Sequence, residues 1–168
     1  MTRVLLVGTM GTGKSSVGTA LAQLTGWPHL DNDVLLERSA GLPAPELLAR
    51  DGEQALREAE AGALTLVLGL PGPLVAGVAA GVVLSAPDRV RLREGGHVVW
   101  LRARPETLAR RVGRGAGRPW LGDDPAGTLR TLAAERAPLY AEVAHQVLDV
   151  DELSPRAAAR LVRDAVLR

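Results

Sequence analysis

Two periods of hydrophobic and polar residues alternate along this chain, and they predict its architecture. Five short segments, residues 3–7, 27–31, 74–78, 97–102 and 146–150, read as strands. The first holds an unbroken apolar run, Val4-Leu5-Leu6-Val7, which suits the middle of a parallel sheet buried on both faces. Between the strands, apolar residues recur three and four apart, predicting helices at 14–24, 34–38, 45–50, 53–64, 85–95, 105–112, 126–143 and 155–167. Gly26 stands where a glycine would end the first helix, and Asp51-Gly52 reads as a turn. Pro138 is expected to kink or divide the helix around it. Residues 113–119 form a glycine-rich basic loop. Strands alternating with helices argue for an α/β fold, a parallel sheet covered on both faces, in one domain over residues 1–168.

One junction carries a chemical signature. Gly8-Thr9-Met10-Gly11-Thr12-Gly13-Lys14-Ser15 fits G-x-x-x-x-G-K-[ST] and lies between a strand and a helix, the context a phosphate-binding P-loop requires. Glycines let successive N–H groups turn toward one anion, and the helix start adds its unpaired donors and positive dipole end. Lys14 would reach the β- and γ-phosphates of a nucleotide, and Ser15 would hold Mg²⁺. Lys14 is also the only lysine; every other member of the 20 Lys+Arg is arginine. A planar guanidinium cannot replace a compact ammonium inside a tight phosphate cradle, so a lone lysine there is what phosphate binding predicts.

Composition narrows the classes. With 20 basic and 19 acidic residues the formal charge is +1, and aromatics are 2%, which argues against nucleic-acid and membrane partners. Cysteine is absent, excluding disulfides, thiolate metal sites and a cysteine nucleophile. Residues 63–84 are the most apolar stretch, but glycines and prolines interrupt them. No signal peptide is read at the start, and the expectation is a cytoplasmic monomer acting on a small molecule.

Asp31 and Asp33 follow the second strand, at the carboxyl edge of the sheet where ligands bind in such folds. A kinase needs one carboxylate near the metal and a second near the acceptor hydroxyl, although aspartate here also reads as a helix cap. Strand three offers no acidic residue after it, which leaves Asp31 as the metal-side carboxylate and favours phosphotransfer to a hydroxyl. Arg57, with Glu60 three positions on, reads on spacing alone as a solvated ion pair. Arg136 is equally open. Arg118, among glycines before Pro119, could arrive on the phosphates as a lid closes.

The ordered set resembles the shikimate kinase family along nearly the whole chain. The carriers are residues 8–18, Asp31-Asn32-Asp33, Gly52-Glu53 through Arg57 to Glu60, Arg118-Pro119-Trp120-Leu121, and Glu135-Arg136-Ala137-Pro138-Leu139-Tyr140. The resemblance implies a three-layer α/β/α P-loop kinase fold with a central five-stranded parallel sheet, a mobile lid near 113–125 and acceptor-binding helices near 33–64. It implies ATP and Mg²⁺, and phosphorylation of the shikimate 3-hydroxyl. Gly11, Thr12, Gly13, Lys14, Ser15 and Ser16 would contact the nucleotide, with Arg111 along the adenine and Arg118 over the phosphates. Ser15 and Asp31 would hold Mg²⁺. Asp33, Arg57, Gly81 and Arg136 would bind the acceptor, with Asp33, Lys14 and Arg118 catalytic. Where the family has Gly-Gly-Gly this chain has Ala79-Ala80-Gly81, and Leu56 and Trp120 replace its phenylalanine and leucine. Two alternatives follow: a kinase for another small hydroxy acid or polyol, and a nucleotide-binding relative with weak or no turnover.

Overall fold

The computed structural model describes residues 2–113 and 122–168. Its sheet has five parallel strands in the order β2-β3-β1-β4-β5. These are β1 (Arg3–Val7), β2 (His29–Leu30), β3 (Leu74–Gly77), β4 (His97–Arg102) and β5 (Gln146–Asp149). The α-helices among the described residues are α1 (Lys14–Thr25), α2 (Asn32–Ala40), α3 (Ala44–Gly69), α4 (Ala86–Gly95), α5 (Pro105–Val112), α6 (Pro125–Val143) and α7 (Pro155–Val166).

The apolar run in β1 decides the layering. Successive side chains of a strand point to opposite faces. Leu5 and Val7 therefore join one core with residues of β3, β4, α3, α4 and α6. Val4 and Leu6 join a second core with α1 and α7. All four are at most 1% exposed, so β1 is the central strand and both faces are covered. A smaller cluster of Leu108, Val112 and Leu129 joins α5 to α6, and Leu36, Leu47 and Ala59 join α2 to α3.

Two expectations are corrected and a third is narrowed. β2 is only two residues long; Trp27 packs on the α1/α7 core and Asp31 is already a helix cap. The separate helices at 45–50 and 53–64 form one assigned element interrupted at Gly52, whose φ of 86° departs from helical geometry. That element continues to Gly69 because Leu64 and Val67 remain on its buried face against the sheet, giving residues 65–69 a place. The helix containing Pro138 is undivided. Proline cannot donate to the carbonyl four residues back. Burial of Leu129, Tyr140 and Val143 on the same helix outweighs that loss.

At the opposite edge of the sheet from the P-loop, β4 and β5 are joined by a histidine. The Val98 N–H donates to His145 Nδ1 (3.1 Å), and the His145 N–H donates to the Val98 carbonyl (2.9 Å). Its ring stacks on His97, with centroids 5.8 Å apart. Burial, then the charges of Arg93 and His97, hold the His145 imidazole below the usual range. The folded state therefore binds fewer protons than the unfolded one as pH falls through about 6.5. We predict that urea-unfolding stability is lower near pH 5.5 than near pH 7.5, and that the difference narrows in His145→Gln.

Candidate active site

The donor side is built where β1 runs into α1. Gly13, at φ 90°, is the residue before the first helical turn, in a left-handed conformation that a side chain would strain. No side chain caps α1, so its first N–H groups remain directed at the space above the loop. The loop is held from below by the buried Thr12, whose hydroxyl donates to the Thr9 carbonyl at 2.9 Å. The Lys14 ammonium donates to the carbonyls of Gly8 (2.6 Å) and Thr9 (3.3 Å), which keeps it over the loop. Arg111, from α5, donates to the carbonyls of Gly11 (3.3 Å) and Val150 (2.9 Å). It thus ties the outer rim of the loop to the end of β5.

Asp31 links the P-loop helix to α2. As the N-cap of α2 it accepts the Asp33 N–H on Oδ1 at 2.9 Å, and on Oδ2 it accepts the Ser15 hydroxyl at 2.7 Å. Capping and metal-side placement are therefore compatible, because one carboxylate has two oxygens. Asp33 is exposed on the first turn of α2, with the Asn32 amide 3.3 Å from its Oδ1. No three His, Cys, Asp or Glu side chains cluster as a metal cage among the described residues. The Ser15–Asp31 pair supplies hard oxygen donors, which fits a Mg²⁺ ion that takes its remaining ligands from phosphates and water.

On the acceptor side, charges are buried. Arg57 donates to Glu60 at 2.6 Å and to Glu53 at 3.2 Å. The first of these is not the solvated pair that spacing suggested: the Glu60 side chain is 5% exposed. Burial raises the Glu60 carboxyl above the usual range, opposed by the charges of Arg57 and Arg136. Arg136 is 8% exposed, and its buried Nε has no hydrogen-bond partner. A buried guanidinium N–H without a partner is costly, and an anionic ligand is what would satisfy it. Glu60 Oε2 is likewise unpartnered. Beside it a cavity of about 10 Å³, bounded by Asn32, Gly77 and Ala79 among others, has room for about one water.

The turn after β3 closes this side. A Cβ on Gly81 would run into Arg57 Nη1 and Glu60 Oε2, so the turn can pass this close to the ion pair only as glycine. Ala79 and Ala80 differ from it. No described non-glycine residue has a positive φ, so alanine at these two positions carries no backbone strain. The Ala80 carbonyl accepts the Tyr140 hydroxyl at 2.9 Å.

Ser15 and Asp31 are thus brought into direct contact, as are Arg57, Glu60 and Gly81, with Arg136 close enough to act on the Glu60 charge. Ser16 is exposed on the first turn of α1, and Arg118 and Trp120 lie outside the described residues. Reading the sequence did not single out Glu60 as a buried partner or Tyr140 as a contact of the turn. The spacing of Arg57 and Glu60 was the available signal for the first. Nothing local announced the second, because its partner lies 60 residues away.

A family model described as shikimate kinase matches residues 10–166. A shikimate kinase from Moorella thermoacetica is 38% identical over 163 residues, covering 97% of this chain and 93% of the relative. One from Symbiobacterium thermophilum is 42% identical over 155 residues, covering 90% and 88%. A solved structure of the Acinetobacter baumannii shikimate kinase in complex with shikimate superposes with a TM-score of 0.93 at 34% identity, covering 99% of this chain and 93% of that one.

The contacts at Gly81 generate a prediction. The groups a methyl would meet are side-chain ends rather than backbone. Gly81→Ala should therefore fold, with a loss of about 1–3 kcal/mol in urea unfolding. Its crystal structure should show Arg57 displaced from Glu60; an undisturbed pair would contradict the steric account.

Proposed function

This chain belongs to the shikimate kinase family, and on that premise we propose that it transfers the γ-phosphoryl group of ATP to the 3-hydroxyl of shikimate. The observation that carries the acceptor is Arg136: a buried guanidinium with an unpartnered Nε, beside a second arginine, Arg57, that is held by Glu60. Two guanidinium groups at one buried site suit a carboxylate, which accepts oriented, charge-assisted hydrogen bonds from both. A neutral polyol could not accept such charge-assisted hydrogen bonds with an ionised oxygen.

The roles follow from position. The N–H groups at the start of α1, with Gly11, Thr12, Gly13 and Ser16 around them, cradle the phosphates, and Lys14 draws off charge as the bond to ADP breaks. Ser15 and Asp31 would hold Mg²⁺, which would supply charge neutralisation at the phosphates. Asp33 accepts a hydrogen bond from the acceptor hydroxyl and takes its proton as oxygen attacks phosphorus. Arg57, Gly81 and Arg136 fix the acceptor so that its hydroxyl lies in line with the leaving oxygen. Arg111 packs along the adenine from its place on the P-loop rim, and Arg118 closes over the phosphates with the lid. The enzyme acts as a cytoplasmic monomer; among the described residues, no helix is long and apolar enough to cross a membrane.

ADP release coupled to shikimate tests this reading. Preference for another hydroxy acid, or ATP binding without shikimate-dependent turnover, would overturn the acceptor. Arg136→Ala should raise the KM for shikimate by roughly tenfold to a hundredfold, as expected for loss of a charged hydrogen bond worth about 1.5–3 kcal/mol, with the KM for ATP little changed. Asp31→Asn should instead raise the Mg²⁺ concentration needed for half-maximal turnover, leaving the shikimate KM nearly as it was.

A further inference from the structure

Tyr140 is the only tyrosine in the chain, and it is 1% exposed. It sits one helical turn beyond Arg136 on α6, so the two side chains share a face. Its ring packs on Trp100 of β4, with centroids 5.7 Å apart and an interplanar angle of 30°. Its hydroxyl donates to the Ala80 carbonyl at 2.9 Å, across 60 residues of sequence. Burial pushes the phenol up to about 12, while charge and hydrogen bonding from Arg136 pull it the other way. The phenol therefore stays protonated and keeps donating throughout the neutral range. A buried hydroxyl needs a partner, and here the Ala80 carbonyl supplies it.

The partner is informative. Ala80 lies in the turn immediately before Gly81, the residue whose missing Cβ admits Arg57 and Glu60. The helix carrying Tyr140 also carries Arg136. One hydroxyl thus joins the two walls of the acceptor site, the turn after β3 and the helix of the second arginine. Trp100 fixes the ring from the sheet, so the phenol has little freedom to follow if either wall shifts.

We propose that Tyr140 is a positioning residue for the acceptor: its hydroxyl sets the separation between the 79–81 turn and Arg136, and thereby the fit of the substrate carboxylate. This rests on the acceptor reading above. It also accounts for Ala79-Ala80, since a turn held through a backbone carbonyl tolerates methyl groups wherever φ is ordinary.

Tyr140→Phe removes the hydroxyl and keeps the ring against Trp100. We expect the KM for shikimate to rise about tenfold, with the KM for ATP within twofold of wild type. A merely structural role would move both constants together, or neither, and would overturn the inference. In an Arg136→Lys background the same substitution should cost less than about twofold, because the two residues act on one separation; additive effects would overturn it. Biosynthetic labelling with 3-fluorotyrosine keeps the hydroxyl and reports from this single site. Its ¹⁹F resonance should shift on addition of shikimate and stay nearly fixed on addition of an ATP analogue. An unmoved resonance under saturating shikimate would overturn the proposal. Wild-type enzyme without shikimate-dependent ADP release would overturn the acceptor reading itself. Full wild-type activity with an unaltered KM ratio in Tyr140→Phe would overturn only the role of Tyr140.

Discussion

The double burial of β1 is the constraint on which the rest of the molecule depends. A strand whose four apolar residues are all enclosed must be central, with neighbours on both sides and helices on both faces. Because the neighbours are parallel, their carboxyl ends lie along one edge. The loop after β1 becomes the P-loop, the residue after β2 is Asp31, and the turn after β3 leads to Gly81. Three pieces of chemistry far apart in sequence reach one edge without any long-range signal beyond the apolar runs. Right-handed crossover connections then leave little choice of topology.

The two halves of the site use different physics. On the donor side the binding groups are mostly main-chain N–H groups at a helix start, so what matters is loop conformation. Gly13 and the hydroxyl of Thr12 maintain it. On the acceptor side the binding groups are side chains that have been taken out of water. Desolvating Glu60 and Arg136 carries a penalty that their mutual attraction offsets only in part, as the upward pull on the Glu60 carboxyl and the orphaned Arg136 Nε both indicate. Two arginines and one buried carboxylate thus share this side, with the Arg136 Nε left unpartnered. Orientation that the protein has fixed beforehand lowers the ordering cost that binding has to meet.

That difference explains what could be read from the chain. The parallel sheet, the order of its helices and the P-loop were legible, because apolar period and the G-x-x-x-x-G-K-[ST] spacing are local signals. Asp31 was legible both as a helix cap and as a metal-side carboxylate, but not that its two oxygens make the two contacts at once. The helix boundary near residue 64 was misplaced because its amphipathic face continues past the last charged residue, with Val67 still under the sheet. Arg57 and Glu60 looked like surface residues because three-residue spacing says nothing of what lies above them. The turn at Gly81 packs over the pair, and Glu60 is a buried carboxylate.

That alanine is accommodated at residues 79 and 80 while 81 is glycine has the same root. At 79 and 80 the backbone is in an ordinary conformation. The carbonyl of 80 is the functional atom, and a methyl group does not alter a carbonyl held by Tyr140. At 81 the constraint is not φ, which is −86° and open to any residue, but the guanidinium and carboxylate that occupy the space of a Cβ. Glycine content alone is thus a poor guide to which positions of such a turn are fixed. The fixed one is set by what charge has been brought against it, and that charge is brought by α3, whose buried face the β3 and β1 side chains define.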